Sequence, residues 1–288
     1  QNTLHYSRIQ EFPDSASGME ASYQIILAIL EKMGLKAEVS VHRGSTSIMT
    51  SPDEPVQSDA AKNIIELAMQ ERTQPLYVIA LGALTNVTSA ILSEPRIKNN
   101  IVVEWLGGHP TYWYTLRESR QNIDRIGCIG GEPGDFNTWN DPYAAMTLFD
   151  SGVPIVWIPC KNVSELLRTV PCEIEYHVRG RGSIGNYLAE ICRDFRSLYF
   201  VPKHALSTVL WDMTNIGYLV NPDWVPSTLT STPTLKIKEG WTPWNEEIDH
   251  NLTWVNVESR RHLCRTAIHA QRDRILLDFY KKLDRHSK

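Results

Sequence analysis

Leu76-Tyr77-Val78-Ile79-Ala80-Leu81, closed by Gly82, is the stretch that decides the fold. It is apolar without interruption and too short for an ordinary helix. Such a run reads as a strand of a parallel sheet, covered on both faces and central in the sheet. Upstream, Ser58 can cap a helix in which Ala61, Ile64, Ile65 and Ala68 recur at helical spacing. Before that, Ile26, Ile29, Leu30 and Met33 place a helix over about Met19 to Met33, with Gly34 suited to close it. A short strand is expected around Glu38 to His42.

Downstream, Thr85-Asn86 lead into a helix ending near Pro95. Ile101-Val-Val-Glu-Trp-Leu106 reads as the next strand, stopped by Gly107-Gly108. Asp141 before Pro142 is a helix start, with the carboxylate as N-cap and the proline at the first helical position. Pro154 to Ile158 reads as another buried strand. Strand and helix in alternation predict an α/β fold, an open, mostly parallel sheet flanked by helices, in one domain over residues 1–288. After Lys161 the pattern is mostly helical, over about Ser183 to Leu198, Thr208 to Val220 and Glu258 to Leu283. Asn221 to Trp254, rich in proline and tryptophan, reads as a loop with short strands packed over the sheet. Residues from about 112 to 134, with Gly127, Gly130, Gly131 and Gly134, read as an insertion loop.

Composition narrows the function. The charged fraction is 22% and the formal net charge −4, with no Lys/Arg run, so no nucleic-acid partner is expected. No stretch approaches the ~20 apolar residues of a membrane span. Cys128, Cys160, Cys172, Cys192 and Cys264 show no CxxC or Cys/His metal spacing. They read as mostly buried thiols in a reducing, cytoplasmic setting. Sequons at Asn86, Asn162 and Asn251 leave secretion open.

In open parallel sheets, ligands bind at the carboxyl ends of the strands. The residues there carry a resemblance. Leu81-Gly-Ala-Leu-Thr-Asn86, Trp105-Leu-Gly-Gly108, Asp135-Phe-Asn137 with Asp141, Phe149-Asp-Ser-Gly-Val-Pro154 and Trp211-Asp212 stand in the order of corresponding segments in the inosine–uridine-preferring nucleoside hydrolases. Gly18-Met-Glu20 and Gly180-Arg-Gly182 are similar to a bacterial subgroup. The resemblance implies hydrolysis of the N-glycosidic bond of ribonucleosides by a water activated on Ca²⁺, which also binds the ribose hydroxyls. It further implies that Asp212 and the Leu81 carbonyl are calcium ligands. Asp135 and Asn137 would hold the ribose hydroxyls, Leu106 would line the ribose pocket, and Trp211 would stack on the base. Asp135 stands where the family usually has Glu. Trp211 takes the place of a catalytic His in some members and cannot protonate a leaving group; His204 and His109, the histidines nearest the expected site, are the candidate catalytic acids. The expected partners are a small-molecule nucleoside and further copies of the chain in a homo-oligomer.

The family's Asp-x-Asp-x-x-x-Asp-Asp segment, at the end of its first strand, has no counterpart before Met19, where only Glu11 and Asp14 are acidic. The first βαβ portion is expected to be missing. Two readings follow: a chain whose coding start lies upstream, or a divergent homologue that lost its metal site and binds a ligand or serves as a scaffold.

Overall fold

The computed structural model describes residues 14–111, 135–193, 206–237, 252–255 and 261–287. Helix α1 (Ser15–Lys32) opens the chain, N-capped by Asp14, and α2 (Asp59–Ala68) follows with Ser58 as its cap. Then come β1 (Leu76–Ala80), α3 (Thr85–Ser93) and β2 (Ile101–Leu106). Two short helices, α4 (Phe136–Asn140) and α5 (Pro142–Asp150), lead to β3 (Ile155–Ile158). Next are β4 (Arg168–Thr169), α6 (Pro171–His177), α7 (Gly182–Arg193), β5 (Thr208–Val209) and α8 (Met213–Val220). The chain continues through β6 (Ser227–Ser231), β7 (Thr234–Ile237), β8 (Leu252–Val255), β9 (Leu263–Ala267) and α9 (Arg272–His286).

The main sheet runs β1-β2-β3-β9-β6. Its first four strands are parallel and β6 pairs antiparallel with β9. Strand residues alternate between two cores because successive side chains leave a strand on opposite faces. Ile101, Val103, Trp105, Ile155 and Trp157 face α2, α3 and α5. Leu106, Val156 and Ile158 face the other layer, built from α7, α8 and α9. That two-sided burial explains why β2 and β3 read as continuous apolar runs. Trp105 and Trp157 meet the Phe149 ring edge-on, at 5.7 and 5.3 Å between centroids. Each such pair adds about 0.5–1.5 kcal/mol beyond the area it buries.

Several expectations are corrected. The run from Leu76 forms a strand, but at the edge and not the centre of the sheet that the described residues form. β1 pairs with β2, and Tyr77 stays 45% exposed. Apolar content reported a parallel strand but not its rank in the sheet. Residues 38–42 form turns and irregular backbone. The stretch from Thr208 to Val220 splits into β5 and α8, and that from Glu258 to Leu283 contains β9 as well as part of α9. β9 is held by Val156↔Arg265 pairing on one side and Leu229↔Arg265 on the other, so tertiary pairing overrides a polar local sequence. Only Cys264 among the four described cysteines is fully buried, and Cys172 is exposed; all four are free thiols. The insertion at 112–134, with Cys128, lies outside the described residues.

Candidate active site

Gly107 and Gly108 turn the chain sharply where β2 ends. A Cβ on Gly107 would lie 2.1 Å from the ring of fully buried Trp105, and Gly108 has φ of 71°. Glycine is therefore required at the first position by space and favoured at the second by conformation. Trp105 Nε1 donates to Gly82 O (3.1 Å) and Trp157 Nε1 to Gly107 O (2.6 Å), so the tryptophans tie three strand ends together. Ala80 pairs with Trp105, which sets Leu81 beside Leu106 at the carboxyl end.

Asp135 is buried and caps α4. Its Oδ1 accepts from Asn137 N and Thr138 N, both at 3.0 Å, while Oδ2 is buried with no hydrogen-bond partner. Asn137 Nδ2 donates to Leu106 O at 2.7 Å. The structure thus brings Leu106, Asp135 and Asn137 together, with Leu81 next to them.

Asp212 occupies the N-cap position of α8, yet its side chain makes no capping bond. The residue is exposed, yet the protein packed about its carboxyl desolvates it enough to raise its pKa to about 6. Burial pushes the Cys160 thiol pKa well up, with smaller contributions in the same direction from Asp135 and Asp212. Trp211 is half-buried against the α7–α9 layer. His204 lies outside the described residues.

The strand ends hold further groups. His109 is buried, with Nδ1 3.1 Å from Gly108 O. Burial lowers its pKa to about 4; Asp135 opposes that shift and Lys161 adds to it. His109 is thus neutral at pH 7 and a poor resting proton donor. Lys161 is only 5% exposed and pairs with Glu165 at 3.6 Å. Sequence reading passed over Lys161, although Pro159-Cys160-Lys161 directly follows β3 and the strand-end rule pointed there.

Other residues of the resemblance do structural work. Asn86 Oδ1 accepts from Ser45 N, Ser45 Oγ and Ser58 Oγ, and Ser58 in turn caps α2. Buried in that role, the Asn86 sequon offers no accessible amide in this fold. Asp141 accepts from Ala144 N, Met49 N and Thr85 Oγ1, joining α5 to α3 and the segment before α2.

Calcium takes about six to eight oxygen ligands. Among the described residues, no three His, Cys, Asp or Glu side chains gather in a group that could hold a metal. Asp212 and one carbonyl do not make up such a set.

The profile of the inosine-uridine preferring nucleoside hydrolase family matches residues 15–286. The chain belongs to that family. The pyrimidine-specific ribonucleoside hydrolase RihB of Escherichia coli O1:K1 / APEC is 27% identical over 166 residues, 57% of this chain and 47% of that protein. RihA of Klebsiella pneumoniae (strain 342), also named a pyrimidine-specific ribonucleoside hydrolase, is 23% identical over 176 residues, 58% and 49% of the two chains. The chain spans about half the length of these relatives. Among solved structures, the purine-preferring ribonucleoside hydrolase from Gardnerella vaginalis superposes with a TM-score of 0.69 at 18% identity, covering 94% of this chain and 87% of the other. A plant nucleoside hydrolase superposes at 0.65 and 15% identity, covering 93% and 86%. At those identities the superpositions establish the nucleoside hydrolase fold. No helix among the described residues is long and apolar enough to cross a membrane.

Proposed function

We propose that this nucleoside hydrolase family member cleaves the N-glycosidic bond of ribonucleosides, giving ribose and free base. Water adds to the anomeric carbon, the bond to the base nitrogen breaks, and the base leaves with a proton. The observation that carries this reading is the spare oxygen of Asp135. With Oδ1 committed to α4 and Oδ2 unpartnered, the buried carboxylate is an acceptor waiting for a hydroxyl. Asn137, held to Leu106 O by its amide nitrogen, keeps its Oδ1 as a second acceptor beside it. A ribose diol supplies the matching donors. Hydrogen bonds that tighten as positive charge grows on the sugar ring favour the oxocarbenium-like transition state. Trp211 offers a ring face to the base, and the uncapped Asp212 carboxylate stands beside it.

Among the described residues the donor set falls short for calcium. That shortfall favours a second reading: a homologue that binds a nucleoside or ribose-like ligand without turning it over. Ribose release from inosine and uridine, assayed with and without added Ca²⁺, separates the two. An Asp212→Ala variant is expected to lose at least about a thousandfold in kcat/KM. Unchanged turnover in that variant would remove Asp212 from the chemistry. No release from either nucleoside, with binding retained, would leave the second reading standing.

A further inference from the structure

A cavity of about 340 Å³ shares no residue with the strand-end site. It lies between the turn joining α6 to α7 and the last turns of α9, lined by His177, Arg181, Tyr280, Lys281, Asp284 and Arg285. The turn is specially shaped. Arg181 stands between Gly180 (φ 79°) and Gly182 (φ 69°), a left-handed backbone that side chains other than glycine resist. A Cβ on Gly182 would touch Ser287 at 3.7 Å, so the turn is pressed against the end of α9. Arg181 Nε there meets Asp284 Oδ1 at 3.1 Å, which anchors one guanidinium at the cavity.

Lys281 and Arg285 are four residues apart on α9 and so lie on one helix face, where like charges repel. Neither side chain makes an ion pair or hydrogen bond among the described residues. The adjacent Lys282, by contrast, pairs with Asp278 at 2.5 Å. Attraction to the carbonyl end of the helix accounts for Arg285 in the last turn, and the Asp284 pair for Arg181, which leaves Lys281 unexplained. Three cations thus face one carboxylate, an excess that a dianion neutralises. His177 and Tyr280 stack with centroids 4.3 Å apart and planes 7° apart, forming a flat wall. The volume falls at the low end of small-ligand sites, about 300–1,000 Å³.

We propose that this cavity binds a small phosphomonoester. The phosphate, carrying about −1.5 to −2 charges at pH 7, sits among Arg181, Lys281 and Arg285, and the organic part lies against the His177–Tyr280 wall. Titration calorimetry with inorganic phosphate and with ribose 5-phosphate tests this, with neutral ribose as the comparison. Both phosphates are expected to bind one site, ribose 5-phosphate more tightly, and both more weakly as salt is raised. A Lys281→Gln/Arg285→Gln double variant should unfold at the wild-type temperature and lose at least about tenfold in affinity for each. Asp135→Asn should bind both as wild type does. Absence of binding by either phosphate, wild-type affinity in the double variant, or loss of affinity in Asp135→Asn would each overturn the proposal.

Discussion

Asp135 and Asp141 stand six residues apart, both are buried, and each caps a short helix. They use their oxygens differently. Both oxygens of Asp141 are engaged, by donors from α3, α5 and the segment before α2. Asp135 commits one oxygen to its own helix and keeps the other unpaired at the strand ends. The sequence shows the same residue at the same capping position. What separates scaffold from site is the count of donors each oxygen receives, and that depends on which distant segments the fold brings to it.

The contrast breaks most visibly if stability and activity fail to separate. Asp141→Ala strands the Met49 N–H and the Thr85 hydroxyl in the interior and removes a cap. The expected cost is about 3 kcal/mol of stability, read as a lower urea midpoint with an unchanged slope. Asp135→Asn should do the reverse. It keeps an acceptor for the cap but turns the spare acceptor into a donor. Stability should stay within about 1 kcal/mol of wild type, while kcat/KM for ribose release falls about a hundredfold. If Asp135→Asn unfolds the chain as Asp141→Ala does, both are scaffold and the site lies elsewhere.

The layered fold was largely legible because β2 and β3 are buried on both faces, so their residues are apolar at every position but Glu104. Helix starts at Ser58 and Asp141 were legible because a cap acts on backbone only three residues away. Long-range placement was not. Nothing within Leu76–Leu81 records that β1 ends at an edge, and nothing within Leu263–Ala267 records that β9 lies between β3 and β6. At the site, the strand-end rule located Leu106, Asp135 and Asn137. It gave no hint that Asn137 spends its amide on the Leu106 carbonyl, because that bond spans 31 residues. Lys161 escaped because a lysine after an apolar strand reads as the return to solvent, whereas here it is buried beside Glu165.

Glu104 sharpens the comparison from the other side, as a buried carboxyl with no hydrogen bond to either oxygen. It lies on β2, two residues before Leu106 and on the same face, with Asn215 of α8 beside it. Burial raises its pKa from 4.5 to about 8, against a smaller opposing effect of Asn215. The sign follows directly. Below pH 4.5 the group is protonated whether folded or unfolded and costs nothing. Between 4.5 and 8 only the folded chain keeps the proton, so stability falls as pH rises through that window. Glu104→Gln should remove that slope, matching wild type near pH 4 and exceeding it at pH 8 by roughly 4 kcal/mol. Urea unfolding of the two proteins at both pH values reads this out, and parallel pH dependences would mean that Glu104 does not keep its proton in the fold. With the slope lost in Glu104→Gln, three buried carboxyls are distinguished by what neutralises their need for partners: hydrogen bonds at Asp141, a proton at Glu104, and at Asp135 one oxygen left for a ligand.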